Sequence, residues 1–317
     1  AFLLATLLLK EVSGLPSSGT PPFDLRNGYW YDKPWGFSRN RYSGDDGYMP
    51  NIAYETLGTN KELAYSIGEQ FKASYPSKVQ RAVAILQFVQ RWTEYGYDAD
   101  NVVMGGRAQS EWAWNADEMA HMFNTTTNVV AVGDCEDMAF LCATIYIGAG
   151  FDAAMVLAPR DRPNHAALLI WLPEYPNANY YWDIPNDGRG RGWIWVEATG
   201  EHNPLGWTPT DFNDGYWTAY PLGLMIFNVN YIPQNPQEED NVTVTASVVS
   251  PRASVSQVLL DYSIQGVHNT LTMTPKGAIY EAVIPKQLKG TAVEFYISVT
   301  DSEGNTKDSE KISYTVG

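Results

Sequence analysis

An α+β core followed by a small all-β sandwich is the fold class this sequence predicts. Three observations carry the prediction. Apolar residues recur at helical spacing through the first half of the chain, up to about Gly150. The period then shortens to aromatic and β-branched runs, "FDAAMVLA", "NHAALLIWLP", "NANYYWDIP" and "GWIWVEATG", which read as strands. Helices first and strands afterwards suggest helices packed on an antiparallel sheet. Beyond a polar, proline-containing stretch, "IPQNPQEED", residues 241–317 read as short strands separated by Gly, Pro, Asn and Asp turns, the pattern of a β-sandwich.

Residues 1–20 come first. Ala1 to Leu9 are apolar apart from Thr6, well short of the ~20 residues that span a bilayer, and a Ser/Gly/Pro-rich stretch follows. The segment reads as the tail of a signal peptide or membrane anchor, which predicts an exported or cell-surface protein tethered through this end. The plainer alternative is an N-terminal helix packed on the domain.

Residues 21–58 are rich in Gly, Pro, Asp, Tyr and Trp without sustained periodicity, and read as ordered irregular structure wrapped over a core. Helices follow at about Lys61–Ala73 and, behind Pro76, at Ser77–Trp92, where Val79, Val83, Leu86 and Val89 share a face. A third helix starts at or near Cys135 and ends at Gly148–Gly150. The four strands then complete a catalytic domain placed at 21–232, with a linker at 233–240 and the sandwich at 241–317. In the sandwich, "VEFYISVTDSEGNTKDSEKISYTV" alternates about a hairpin at "DSEGN".

Charge excludes one class of function. The net charge of −15 opposes nucleic acid, which needs basic surface against its phosphates. There is also no phosphate-cradling glycine loop and no zinc-spaced cluster. The acidic turns "SGDDGY", "DADN" and "IPNDG" could hold calcium but lack EF-hand spacing, so no cofactor or metal is expected. The two cysteines, Cys135 and Cys142, would lie about 10.5 Å apart along one helix, too far for a disulfide.

Cys135 is the first chemical candidate. A sulfur in the first turn of a helix faces exposed backbone N–H groups, whose partial positive charge favours thiolate. Asp134 stands where a capping residue belongs, and Glu136 and Asp137 where first-turn acids are favoured. Cys142, mid-helix among apolar neighbours, reads as core. Among the four histidines, His165 opens a strand after the loop "PRDRPN", where its side chain can face a cleft and serve as a base. An orienting acid is needed next. Glu197 in "GWIWVEATG" and Asp183 in "YYWDIPN" compete, and the stronger strand context favours Glu197.

In sum, "GDCEDMAFLCATIYIGAGFDAAMVL", "NHAALLIWL" and "WVEATGEHNPLGW" resemble the transglutaminase-like cysteine protease superfamily over about residues 60–210, most specifically in the GDCED block. The resemblance implies a papain-like α+β core in which Cys135 is the nucleophile, His165 the base, and Glu197 stands where the family usually has Asp. Glu-Ala-Thr in place of Asp-Pro-Thr is a departure. It further implies an oxyanion hole built from the Cys135 backbone N–H and a Gln or Trp side chain, for which Gln109, Trp112 and Trp114 are candidates, while Asp137 ties the helix start to the neighbouring loop. The expected function is a monomeric thiol-dependent protease or amidase acting on protein or peptide. The alternatives are a transglutaminase, whose acylation step is the same, and a non-catalytic surface binding module.

Overall fold

The computed structural model describes residues 23–317 apart from 34, 50, 54–62, 159–164, 185–186, 188, 213–216 and 252. The expected targeting segment and linker at 1–20 lie outside the described residues. No helix among the described residues is long and apolar enough to cross a membrane. The chain divides into two compact units, residues 1–222 and 223–317.

The first unit opens on a hairpin, β1 (Phe23–Arg26) and β2 (Tyr29–Asp32). Its Asn27-Gly28 turn has positive φ at both residues, 52° and 87°, the backbone that a two-residue hairpin loop requires. The expectation of irregular structure from residue 21 missed this turn signal. Helix α1 (Leu63–Ser74) precedes α2 (Lys78–Trp92), whose Ser77 hydroxyl accepts from the Gln80 N–H as an N-cap. Short elements follow: β3 (Thr93–Tyr95), α3 (Asp98–Asn101), β4 (Val103–Met104), β5 (Arg107–Ala108), α4 (Ala116–Met122) and β6 (Ala131–Gly133).

Helix α5 (Cys135–Gly148) is the spine of the unit. Every residue but Ile147 is buried, because α1, α2 and α4 cover it on some sides and the sheet on another. Helices α1 and α5 meet at two glycines. A Cβ on Gly68 would lie 2.1 Å from the Ile145 carbonyl oxygen, and one on Gly148 2.2 Å from that of Tyr65. Only hydrogen fits there.

The sheet against α5 comprises β7 (Ala153–Leu157), β8 (Ala166–Trp171), β9 (Trp193–Val196) and β10 (Thr218–Leu222), ordered β10-β7-β8-β9 and antiparallel throughout. A strand was expected at "NANYYWDIP". It is instead a turn-rich segment touching the sheet by a single bridge, Trp182 to Trp193, with the Trp182 indole spent on the Thr208 hydroxyl. Since β8 and β9 run in opposite directions, the start of β8 and the end of β9 share one edge of the sheet. His165 immediately precedes β8 and Glu197 immediately follows β9, so topology delivers both to that edge.

The second unit is a sandwich. One sheet holds β11 (Met225–Ile232), β12 (Val242–Val249), β16 (Ile279–Ile284) and β15 (Thr274–Lys276) in that order. The other runs β14 (Val267–Thr272), β13 (Val255–Ile264), β17 (Ala292–Asp301) and β18 (Thr306–Asp308), with β19 (Ile312–Thr315) also on β17. Alternate residues of each sheet, among them Val242, Val244 and Ala246 against Val293, Phe295 and Ile297, fill one core. The β17–β18 turn falls at "DSEGN", where Asp301 Oδ1 accepts from the Glu303 and Asn305 N–H groups. The boundary expected after residue 232 is corrected to 222/223. Strand β11 pairs with β12 along its length, and Leu224 packs into the sandwich core. Its alternating sequence belongs to the second unit, and the polar stretch 233–240 is a loop within it.

Candidate active site

The N-terminus of α5 is held by a chain of carboxylates. Asp134 occupies the N-cap position, and its backbone N–H donates to Asp137 Oδ2 at 3.1 Å. Asp137 Oδ1 accepts from the Trp114 N–H at 2.7 Å, so one fully buried carboxylate ties the helix start to the loop before α4. Cys135 is 9% exposed, and its sulfur lies 3.4 Å from Glu136 Oε2.

His165 sits between two partners. Its Nε2 lies 2.9 Å from Glu197 Oε2, and the Cys135 side chain is close enough to the ring to raise its pKa. With Nε2 committed to Glu197, Nδ1 is the nitrogen left for the sulfur. Burial pulls the imidazole pKa down, but the hydrogen bonds and charges of Cys135 and Glu197 outweigh it and hold it at about 10. Glu197 answers in the opposite sense. Burial pushes its carboxyl up, yet the His165 contact and two bonds from Thr199 leave it below the usual carboxylate range.

Glu197 is itself fixed on every side. Oε1 accepts from the Thr199 N–H at 3.2 Å and hydroxyl at 2.6 Å, and Oε2 also accepts from Trp195 Nε1 at 3.3 Å. Gln90 on α2 donates to the Glu197 and Asn203 carbonyls at 3.0 and 2.9 Å, which pins the backbone where β9 ends. The threonine of Glu-Ala-Thr therefore has a role that sequence reading did not assign. Thr199, Trp195 and Gln90 were all missed, and only the Glu-x-Thr spacing could have signalled one of them.

The other candidates separate cleanly. Asp183 is exposed, and the carboxylate on the imidazole is that of Glu197. Gln109 is corrected as an oxyanion donor: its amide donates to the Arg107 and Met104 carbonyls at 2.9 and 3.4 Å, closing the β4–β5 hairpin. Trp112 is fully buried in a separate cluster with Phe23 and Val102, its backbone N–H donating to Asp98 Oδ2 at 2.6 Å, so it too is corrected. Trp114 packs edge-on to Trp112, and its backbone N–H donates to Asp137. Cys142 is buried mid-helix with its thiol pushed up by burial.

An aromatic wall surrounds the imidazole. Phe212, ending a 3₁₀ turn at Thr210–Phe212, stacks on His165 with centroids 5.9 Å apart and planes 17° from parallel. Trp195 also lies parallel to Phe212, and Trp217 meets His165, Trp195 and Phe212 edge-on.

Around the start of α5 lies a group of acids, with Asp98, Glu136 and Asp137 buried and Glu111 and Asp134 half-buried. The Tyr48 hydroxyl donates to Glu111 Oε1 and sits 3.3 Å from Glu136 Oε1. Burial, then neighbouring negative charge, raises the carboxyls of Glu136 and Asp137, and carries that of Asp98 to about 7. Asp98, Glu111 and Glu136, and likewise Asp98, Asp134 and Asp137, place carboxylate oxygens within 4.8 Å of one another, an all-oxygen set that could hold a hard cation. Of the acidic turns singled out in the sequence, "DADN" supplies Asp98 to these sets, and the other two are engaged elsewhere. Asp46 binds the Tyr31 hydroxyl and Arg41, and Asp187 binds Arg189 and the Trp193 indole.

No family model matches the chain, and no curated protein matches it. Solved structures that resemble it include a bromine derivative of BhCBM56 (16% identity, 27% of this chain, 88% of that one, TM-score 0.22). Others are the fibronectin(III)-like modules of Clostridium thermocellum CbhA (15%, 29%, 96%, 0.23) and the cycloalternan-degrading enzyme of Trueperella pyogenes (18%, 27%, 12%, 0.24). This chain spans only about an eighth of that last enzyme. Likenesses at these scores say nothing about what this chain does.

Proposed function

We propose that the first unit is a papain-like, transglutaminase-type core that cleaves or transfers amide acyl groups through Cys135. The observation that carries the reading is one imidazole hydrogen-bonded to a buried carboxylate and close enough to a thiol at a helix N-terminus to be raised by it. A histidine held at about 10 is an imidazolium at neutral pH, and an imidazolium against a sulfur favours thiolate. In the reaction, that sulfur attacks the substrate carbonyl carbon and forms an S–C bond. The imidazolium then passes its proton to the departing nitrogen as the C–N bond breaks, leaving a thioacyl enzyme and neutral His165. Water or an amine next attacks the thioester, His165 takes the proton, and the S–C bond breaks to restore the thiolate. The Cys135 backbone N–H, first in α5, is the donor available to the developing oxyanion.

The test is a glutamine-containing peptide incubated with a labelled amine and followed by mass spectrometry. Hydrolysis or amine incorporation that disappears in Cys135→Ala supports the reading, and their ratio separates protease from transferase. A wild-type Cys135 that iodoacetamide alkylates no faster than glutathione at pH 6 overturns it.

A further inference from the structure

The imidazole of His165 is hydrogen-bonded to Glu197, with the Cys135 side chain close enough to raise its pKa, and a single hydrogen bond leaves the ring free to tilt about it. The aromatic residues around it are placed to limit that tilt, and they close into a ring of contacts. His165 Nε2 meets Glu197 Oε2, and the same oxygen accepts from the Trp195 indole. The Trp195 indole lies parallel to Phe212, 5.9 Å between centroids and 6° between planes, and Phe212 lies nearly parallel to the imidazole. Trp217 wedges the stack from the side, 4.5 Å from the Phe212 centroid. One indole thus donates to the acid through its N–H and lies parallel to the ring stacked on the base.

We propose that Phe212 is a positioning residue for His165, its ring face fixing the imidazole plane between Cys135 and Glu197 and favouring the imidazolium. This rests on the thiol-enzyme reading above. The stacking partner supplies two things at once. Its flat face permits only one tilt of the imidazole, and its quadrupole attracts a cation held over it within about 6 Å. An aliphatic side chain of similar size keeps the site dry but supplies neither.

That contrast defines the experiment. In the full chain, Phe212→Leu and Phe212→Met are compared with Phe212→Trp and wild type. The readouts are the titration midpoint of His165 from its ring NMR signals, simple to assign among four histidines, and the iodoacetamide alkylation rate of Cys135 at pH 6. Leu and Met should lower the midpoint by roughly half a pH unit and slow alkylation several-fold, while Trp restores both. Two aliphatic variants are used so that a folding defect in one leaves the other to decide. If both keep the wild-type midpoint and rate while only the melting temperature falls, Phe212 is packing and the proposal is wrong. Failure of the underlying reading looks different: wild-type Cys135 would then react like glutathione whatever stands at position 212.

Discussion

Replacing Glu197 by glutamine should break the proposed site without emptying it. The amide is isosteric and keeps an oxygen for Thr199, but it removes the negative charge that faces His165. A rise in the imidazole from 6.5 to about 10 corresponds to roughly 5 kcal/mol of preference for the charged ring, shared between Cys135 and Glu197. Assigning about half to Glu197 gives about 2 kcal/mol of stability lost at pH 6. The pH dependence follows from both partners. His165 is raised in the fold, so its contribution is complete below about 6.5 and fades as pH rises through about 10. Glu197 is lowered, so its contribution holds above the ordinary carboxylate range and fades only as acid reaches its depressed value. The deficit of the variant should therefore be full at pH 6 and largely gone at pH 10.5. Urea unfolding followed by tryptophan fluorescence measures it, since all eleven tryptophans lie in the first unit and the signal reports that unit alone. Equal stability of variant and wild type at pH 6, or a deficit that persists unchanged at pH 10.5, would refute the charged-pair account.

Other perturbations have outcomes of their own. Glu136→Gln should cost less than about 1 kcal/mol in urea unfolding, because burial already disfavours the charge that the amide removes, whereas Asp137→Ala should cost about 2 kcal/mol by orphaning the Trp114 and Asp134 N–H groups. Gly68→Ala should lower the melting temperature of the first unit by several degrees, since the added methyl meets the Ile145 carbonyl at the α1–α5 crossing. Native protein treated with iodoacetamide should carry label on Cys135 and none on Cys142, which reacts only after denaturation. A fragment spanning 223–317 should give a cooperative β-sheet melt by circular dichroism, and one starting at residue 241 should not, because it lacks β11 and the Leu224 packing.

How much of this was legible in the sequence depends on whether the signal was local. Helix α5 begins at Cys135 because an acid-rich first turn and an unbroken apolar run are neighbours in the chain, and both can be read directly. Glu197 was favoured over Asp183 on strand context, a local property, and the coordinates place Glu197 on the imidazole. Apart from the Asn27-Gly28 turn, the failures are contacts that only folding creates, across a short hairpin or between distant segments. Gln109 reads as a spare donor until the β4–β5 hairpin brings the Arg107 and Met104 carbonyls to it. The "NANYYWDIP" run has strand composition, yet the sheet ends at β9, and its Trp182 serves Thr208 instead. Phe212 and Trp217 lie in a stretch of turn residues that gives no hint of an imidazole between them and the acid. The boundary at 222/223 was hidden because β11 alternates like any strand, and only pairing decides which sheet it joins.

The central claim is that Cys135 and His165 act as one charged pair. Its most direct measurement is the pH dependence of Cys135 alkylation by iodoacetamide, resolved from Cys142 by peptide mass spectrometry, in wild type and His165→Ala. The account predicts a wild-type rate at pH 6 at least about tenfold above glutathione, and a fall to the level of an ordinary thiol without the imidazole. Wild-type alkylation that climbs only in alkaline solution, unchanged when His165 is removed, would contradict it.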